Sequence, residues 1–206
     1  MKFICLILSL LLIGCSGGKR LTNTELETSR QDVQQFQDKL NKQFSNEDTS
    51  PLVLEKVPSF EGLDFFDIDP SYVVKAELVR TPNEKPFQMP TYAGKEKTFK
   101  KYGELHFKMK GKKRQLNVYQ NLRTIAMPLY RDHLFLPFTD LSNGAQSYGG
   151  GRYIDLKIPK EKNIILNFNL AYNPYCAYSD RYNCPIPPKE NHLAIAVLAG
   201  VKAYQK

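Results

Sequence analysis

Glu104-Leu105-His106-Phe107-Lys108-Met109-Lys110-Gly111-Lys112-Lys113-Arg114-Gln115-Leu116-Asn117-Val118 is the stretch whose pattern sets the fold class. Leu105, Phe107 and Met109 alternate with Glu104, His106, Lys108 and Lys110. A period of two marks a strand with one face on a core and the other in water. Gly111-Lys112-Lys113 reads as a turn, after which Leu116 and Val118 resume the apolar face. The pattern predicts a hairpin with one wet side.

Outward from the hairpin the same grammar recurs. Tyr72 to Val79 is rich in β-branched residues. Leu134–Leu136, Tyr153–Ile158, Ile164–Phe168 and Leu193–Leu198 are further short strand candidates, separated by Pro, Gly and Asn. Short antiparallel strands in this number predict a mainly β domain, either an antiparallel sandwich or a partly closed barrel. One helix is expected outside the sheet, from Thr24 to Phe44. Leu26, Val33, Phe36, Leu40 and Phe44 recur at helical spacing, Thr24 can cap it, and Glu25 and Glu27 suit its first turn. With 206 residues, 42% apolar and 24% charged, the chain suits one globular domain over residues 24–206 and not a disordered polymer. There is no internal repeat.

The N-terminus carries an address. Met1-Lys2 is a short positive region, and Phe3 to Ile13 is apolar apart from Cys5 and Ser9. That run is too short to span a bilayer and suits the apolar part of a secretory signal. Leu12-Ile13-Gly14-Cys15 is similar to the lipobox of bacterial lipoproteins, with a small residue before the cysteine. The resemblance implies a signal peptide over residues 1–14, acylation of Cys15, and a tether over residues 15–23. Ser16-Gly17-Gly18 is flexible by composition. The alternative is an ordinary signal peptide with a chance cysteine. By proteobacterial sorting rules, the lack of Asp after Cys15 and of an acidic export cluster implies an outer-membrane anchor facing the periplasm. Removal of the signal leaves Cys176 and Cys184 as the pair able to form an internal disulfide in an oxidising compartment. Two free thiols or a metal pair are the rivals.

Charge is uneven. From Lys95 to Arg114 nine basic residues face only Glu96 and Glu104. One reading is a solvated edge protected by lysine against aggregation. The other is a foothold on anionic lipid. No nucleic-acid motif is present, and nucleic acid is not an expected partner. Protein partners are not legible.

The C-terminal half holds three dense blocks. Phe135-Leu136-Pro137-Phe138-Thr139-Asp140 with Ser147-Tyr148-Gly149-Gly150-Gly151-Arg152-Tyr153-Ile154-Asp155 is the first. Asn167-Phe168-Asn169-Leu170-Ala171-Tyr172-Asn173-Pro174-Tyr175-Cys176-Ala177-Tyr178 is the second. Cys184-Pro185-Ile186-Pro187-Pro188-Lys189-Glu190-Asn191-His192-Leu193 with Ala199-Gly200 is the third. Together with Leu63-Asp64-Phe65-Phe66 and Tyr102 to Phe107, they resemble the family called domain of unknown function 1684, over roughly residues 24–204. That resemblance implies no established activity. Against the family pattern, Asn167 stands for Asp, Leu170 for Arg, His192 for Arg and Val201 for Glu, each replacing or losing a group that could carry charge.

Candidate ligand-binding residues in these blocks are Asp140, Tyr148, Arg152, Asn169, Asn173, Glu190 and Asn191. The Gly149-Gly150-Gly151 loop offers unobstructed amides that can receive an anion, or it simply turns into a strand. It lacks the spacing of a phosphate-binding P-loop. Arg152 can serve a ligand or pair with a carboxylate, and the asparagines can bind a ligand or bridge buried backbone. The leading expectation is a lipid-anchored, periplasm-facing binding or accessory protein. The alternative is a hydrolase-like enzyme using Asp140, Arg152, Asp155 and Glu190 on a glycan or phosphoester. Ser147 lacks the Gly-x-Ser-x-Gly setting of a serine hydrolase. With only His106, His133 and His192 and no familiar ligand spacing, neither a metal nor a cofactor is expected.

Overall fold

The computed structural model describes residues 21–205. The proposed signal peptide, Cys15 and most of the tether lie outside these residues. The chain opens with α1 (Asn23–Phe44) and continues through β1 (Val73–Arg80), β2 (Phe87–Met89), β3 (Lys97–Met109) and β4 (Lys112–Asn121). A short α2 (Leu122–Ile125) precedes β5 (His133–Asp140), β6 (Arg152–Lys157), β7 (Asn163–Asn167) and the two-residue β8 (His192–Leu193). Six strands run in the order β6-β5-β4-β3-β1-β7, with β2 added beside β3 and β8 beside β5. All pairings are antiparallel except β5 with β8. The sheet curls into a half-barrel. Of the two expected architectures, the partly closed barrel is the one formed.

The hairpin forms as its alternation predicts, with one correction at its tip. Lys110 and Gly111 hold the turn, at φ of 49° and 77°. Two successive positive φ values match the right-handed twist of a two-residue hairpin, and glycine takes the second at no steric cost. Lys112 and Lys113 therefore lie in β4, opposite Met109 and Lys108. Leu105, Phe107, Met109, Leu116 and Val118 are buried. A bulge between Lys101 and Gly103 inserts one residue and reverses the parity of β3. Tyr102 and Leu105 consequently both join the main core, while Phe99 joins a second cluster on the other face.

The main core is built from Val74, Ala76 and Leu78 of β1, the hairpin, Leu134, Leu136 and Phe138 of β5, Ile154 and Leu166. The opposite face of β4, β5 and β6 is aromatic: Tyr119, Phe135 and Tyr153 pack with Met89 and Phe99. Phe135 and Tyr153 stand edge to face at 4.7 Å, within the range that aromatic pairs prefer.

Helix α1 starts one residue earlier than expected, and its cap lies two residues earlier. Thr22, not Thr24, caps it: its hydroxyl accepts from the Glu25 amide at 3.1 Å, and Glu25 accepts from the Thr22 amide at 2.7 Å. Thr22-x-x-Glu25 and Thr24-x-x-Glu27 both satisfy a capping box. The earlier one prevails because it adds helical bonds such as Leu26 N to Thr22 O. Leu40 and Phe44 bury their side chains against Leu52, Val57, Leu63 and Tyr178. The strand expected over Leu193–Leu198 ends at Leu193. Beyond it the chain turns sharply, with Ile195 N donating to Leu193 O at 2.7 Å, and side chains of the sheet hold the rest.

Candidate functional site

Most of the polar residues expected to bind a ligand hold the protein together instead. Asp140 ends β5 and Arg152 begins β6, and both side chains are fully buried. Arg152 Nη2 donates to Asp140 Oδ2 at 2.9 Å and to Val197 O at 2.7 Å, while Nη1 donates to Ala199 O. Asp140 Oδ1 accepts from the amides of Ser142 at 2.9 Å and Val197 at 3.0 Å. Burial pulls the Arg152 pKa down, opposed by the adjacent Asp140 charge. Segment 197–199 is therefore stapled across the end of the main core by one ion pair. Neither charge reaches solvent, so neither can meet a ligand in this conformation.

The asparagines act the same way. Asn191 donates to Asn117 O at 2.9 Å and Pro137 O at 2.6 Å and accepts from Asn117 N at 2.8 Å. Asn169 pairs with both backbone groups of Asp69, each at 3.0 Å. Asn173 donates to Lys202 O at 2.8 Å. In each case a side-chain amide replaces a missing strand partner for buried backbone, as irregular segments require. Glu190, by contrast, is exposed and accepts from the Tyr119 hydroxyl at 3.2 Å. The four groups Asp140, Arg152, Asn169 and Glu190 thus belong to three separate networks, not to one concave pocket. Of the carboxylates in the hydrolase reading, Asp140 is paired with Arg152 and Glu190 accepts from Tyr119, in separate networks.

The glycine loop is a close-packing device. A Cβ at Gly150 would lie 2.3 Å from the Tyr92 hydroxyl, which donates to Gly150 O at 2.7 Å. Tyr92 thus packs directly on Gly150.

Two clusters gather groups with chemistry of their own. In the first, the Asp155 carboxylate accepts from Tyr172 at 2.7 Å and meets His133 Nε2 at 2.8 Å. His133 and Asp155 are diagonal neighbours across β5 and β6, since Phe135 pairs with Asp155. Burial, followed by the Asp155 charge, pushes the Tyr172 hydroxyl well above its ordinary range. Asp155 lay in an expected strand and Tyr172 in the second block, but His133 fell just outside the expected strand and nothing in the sequence joined the three. In the second, Tyr148 reaches Cys176 Sγ at 3.9 Å and Cys184 lies beside it. Cys176 and Cys184 are both free and buried. The expected disulfide is not formed, although the fold brings the pair together. Among the described residues no group of three or more His, Cys, Asp or Glu side chains is placed to hold a metal.

A cleft of about 240 Å³ separates α1 from the sheet edge and is lined by Glu25, Ser29, Asp32, Ile165, Asn167 and Leu170. Two of the family departures, Asn167 and Leu170, therefore face one hollow. His192 is exposed with Nδ1 3.0 Å from Thr139 Oγ1, and Val201 is buried.

The basic hairpin shows two kinds of cation. Lys101 bonds Glu104 at 2.7 Å. Lys110 bonds Ser71 Oγ at 2.7 Å and lies 4.5 Å above the Tyr72 ring. Lys108, Lys112 and Lys113 are exposed and carry no ion pair among the described residues.

The family model described as a protein of unknown function (DUF1684) matches residues 58–202. The chain belongs to the DUF1684 family. The matched region takes in the whole sheet, the Asp140–Arg152 staple and both cysteines, and it leaves α1 outside. A solved structure of this fold is the solution NMR structure of the uncharacterized protein from gene locus rrnAC0354 of Haloarcula marismortui. It is 33% identical, covers 88% of this chain and 97% of its own, and has a TM-score of 0.69. No curated protein matches this DUF1684 chain.

Proposed function

We propose that this DUF1684 protein is a lipid-anchored envelope protein facing the periplasm, probed through its surface and not through a catalytic pocket, with the basic hairpin turned toward anionic lipid. The observation that carries this reading is the placement of the hairpin tip relative to the start of α1. Lys110 touches Ser71, Asp69 is clasped by Asn169, and Asn167 donates to Ser29 O at 3.3 Å in the first half of α1. Ser29 is only seven residues from the cap at Thr22, about 10 Å along a helix. These contacts link the hairpin tip to the first half of α1, which supports a reading in which an acyl chain at Cys15 and the cations Lys108, Lys112 and Lys113 act on one membrane surface. Two weak signals acting together make a stable attachment. The anchor sets retention and the lysines set orientation.

Metabolic labelling with a radioactive fatty acid should mark the wild type and not Cys15→Ser, and an unlabelled wild type removes the anchor. A soluble form starting after Cys15 should bind phosphatidylglycerol vesicles, ignore phosphatidylcholine vesicles, and release as salt shortens the Debye length below about 8 Å. The triple variant K108E/K112E/K113E should bind on the order of a hundredfold more weakly, at about 1 kcal/mol per cation. Lys110 is left alone because it packs on Tyr72. Equal binding by wild type and variant would make the hairpin merely a solvated edge.

A further inference from the structure

Cys176 and Cys184 come from two separately anchored segments. Cys176 sits in a 3-10 turn over Tyr175–Ala177, held by Ala177 N to Pro174 O at 2.9 Å. Cys184 runs beside the Thr91 loop, where Tyr92 N donates to Cys184 O at 3.1 Å and Thr91 bridges Pro185. The two sulfurs meet under cover, at 9% and 8% exposure. Their environments differ. Cys184 Sγ accepts the Cys176 amide at 3.2 Å. Cys176 Sγ faces the Tyr148 hydroxyl at 3.9 Å.

We propose that this pair is a peroxide-reactive dithiol in which Cys184 attacks, Cys176 resolves, and the disulfide is the product of the reaction and not a permanent strut. The direction follows from the donors. Cys184 Sγ accepts an amide N–H, and a sulfur so bonded is held toward its thiolate, the reactive form. The groups facing the pair are Lys97 from β3, Tyr92 from the β2–β3 loop, and Tyr148 and Tyr153 from the β5–β6 side. Burial holds the three tyrosines protonated, so Lys97 is the charge among them. The Cys176 thiol lowers the Cys184 pKa first, then its amide and Lys97, against burial, while the same contact raises Cys176. The cover selects a small oxidant.

The chemistry balances without another reactant. The Cys184 thiolate attacks one peroxide oxygen, an S–O bond forms, the O–O bond breaks, and hydroxide leaves with the proton that Cys184 released. Cys176 then attacks the sulfenic sulfur, an S–S bond forms, the S–O bond breaks, and the Cys176 proton leaves with hydroxide as water. Two thiols lose two electrons and the peroxide becomes two waters.

The test uses the full chain, reduced and freed of reductant, then treated with hydrogen peroxide and mapped by peptide mass spectrometry after alkylation. The wild type should yield a 176–184 peptide pair two hydrogens light. Cys176→Ser should accumulate a dimedone-reactive sulfenic acid at Cys184, and Cys184→Ser should label at least tenfold less at Cys176. The alanine variants repeat the comparison, and circular dichroism confirms that each is folded. Two freely alkylated thiols after excess peroxide would overturn the proposal. So would equal dimedone labelling of the two serine variants, or a bridge that is already present on isolation and cannot be reduced without unfolding.

Discussion

Arg152 brings a guanidinium into a fully buried site, where Asp140 and two carbonyls hold its Nη groups while its buried Nε has no partner. A pair of this kind contributes little over an apolar substitute, yet breaking it leaves an uncompensated buried charge. Asp140→Ala should therefore destabilise by roughly 3–5 kcal/mol in urea denaturation, whereas Arg152→Met with Asp140→Leu should recover most of that loss. Asn191→Ala should cost roughly 2–4 kcal/mol, because it strips the partners of Asn117 N, Asn117 O and Pro137 O at once. These residues stood out in the sequence as charge and amide in dense blocks. Their role was not legible there, because a residue type records which bonds it can make and not whether water or backbone receives them. The structural alternatives, an Arg paired to a carboxylate and an Asn bridging backbone, are the ones realised.

Elements were the more readable level. The alternation around Leu105 and Leu116 and the helical spacing from Leu26 to Phe44 each impose a geometry on the chain, and both elements stand where that geometry requires. What escaped the pattern were the points where one residue changes the outcome. The turn moved to Lys110-Gly111, because two positive φ values fit the strand twist and Gly111 alone is free to take one cheaply. The bulge at Tyr102 has no sequence mark except Gly103, whose Cβ would meet Val79 O at 2.5 Å. The two overlapping capping boxes give a direct test. Thr22→Ala should lower stability by about 1 kcal/mol and speed amide exchange in the first turn of α1, whereas Thr24→Ala should do neither. In the hairpin, K108E/K112E/K113E should leave the melting temperature nearly unchanged, since those side chains are exposed and unpaired and surface changes of this kind stay within about 0.5 kcal/mol. That invariance separates lost lipid binding from lost structure.

Across the whole molecule the aromatic clusters define an alkaline limit. Burial, the first cause in each case, raises the hydroxyl pKa of Tyr119, Tyr148, Tyr153, Tyr172 and Tyr178 above its ordinary value near 10. In the unfolded chain these groups ionise near pH 10 while in the folded chain they stay protonated. Stability is thus fully present below pH 10 and falls as pH rises past it, by up to about 1.4 kcal/mol per pH unit for each such tyrosine. Urea midpoints measured between pH 8 and pH 11 should be flat to about pH 9.5 and then drop, together with the ultraviolet band of tyrosinate. The fold class followed from the strand pattern, but the curl of the sheet depends on which residues complete its open side. Leu193, Val197 and Ala199 fill the main core, Val201 fills the cluster beneath α1 with Leu40 and Phe44, and Phe66 N and Lys202 N fasten to Gly200 O and Asp64 O. These late residues act as a keystone. On the ribosome, a nascent chain stopped at residue 192 has made every strand of the six-strand path and still leaves Arg152 without its carbonyls and the apolar trough uncovered. Folding of this domain then waits for these late residues and does not grow gradually with the chain. Arrested chains should remain protease-sensitive and bound by chaperones until Leu193 to Lys202 have cleared the exit tunnel.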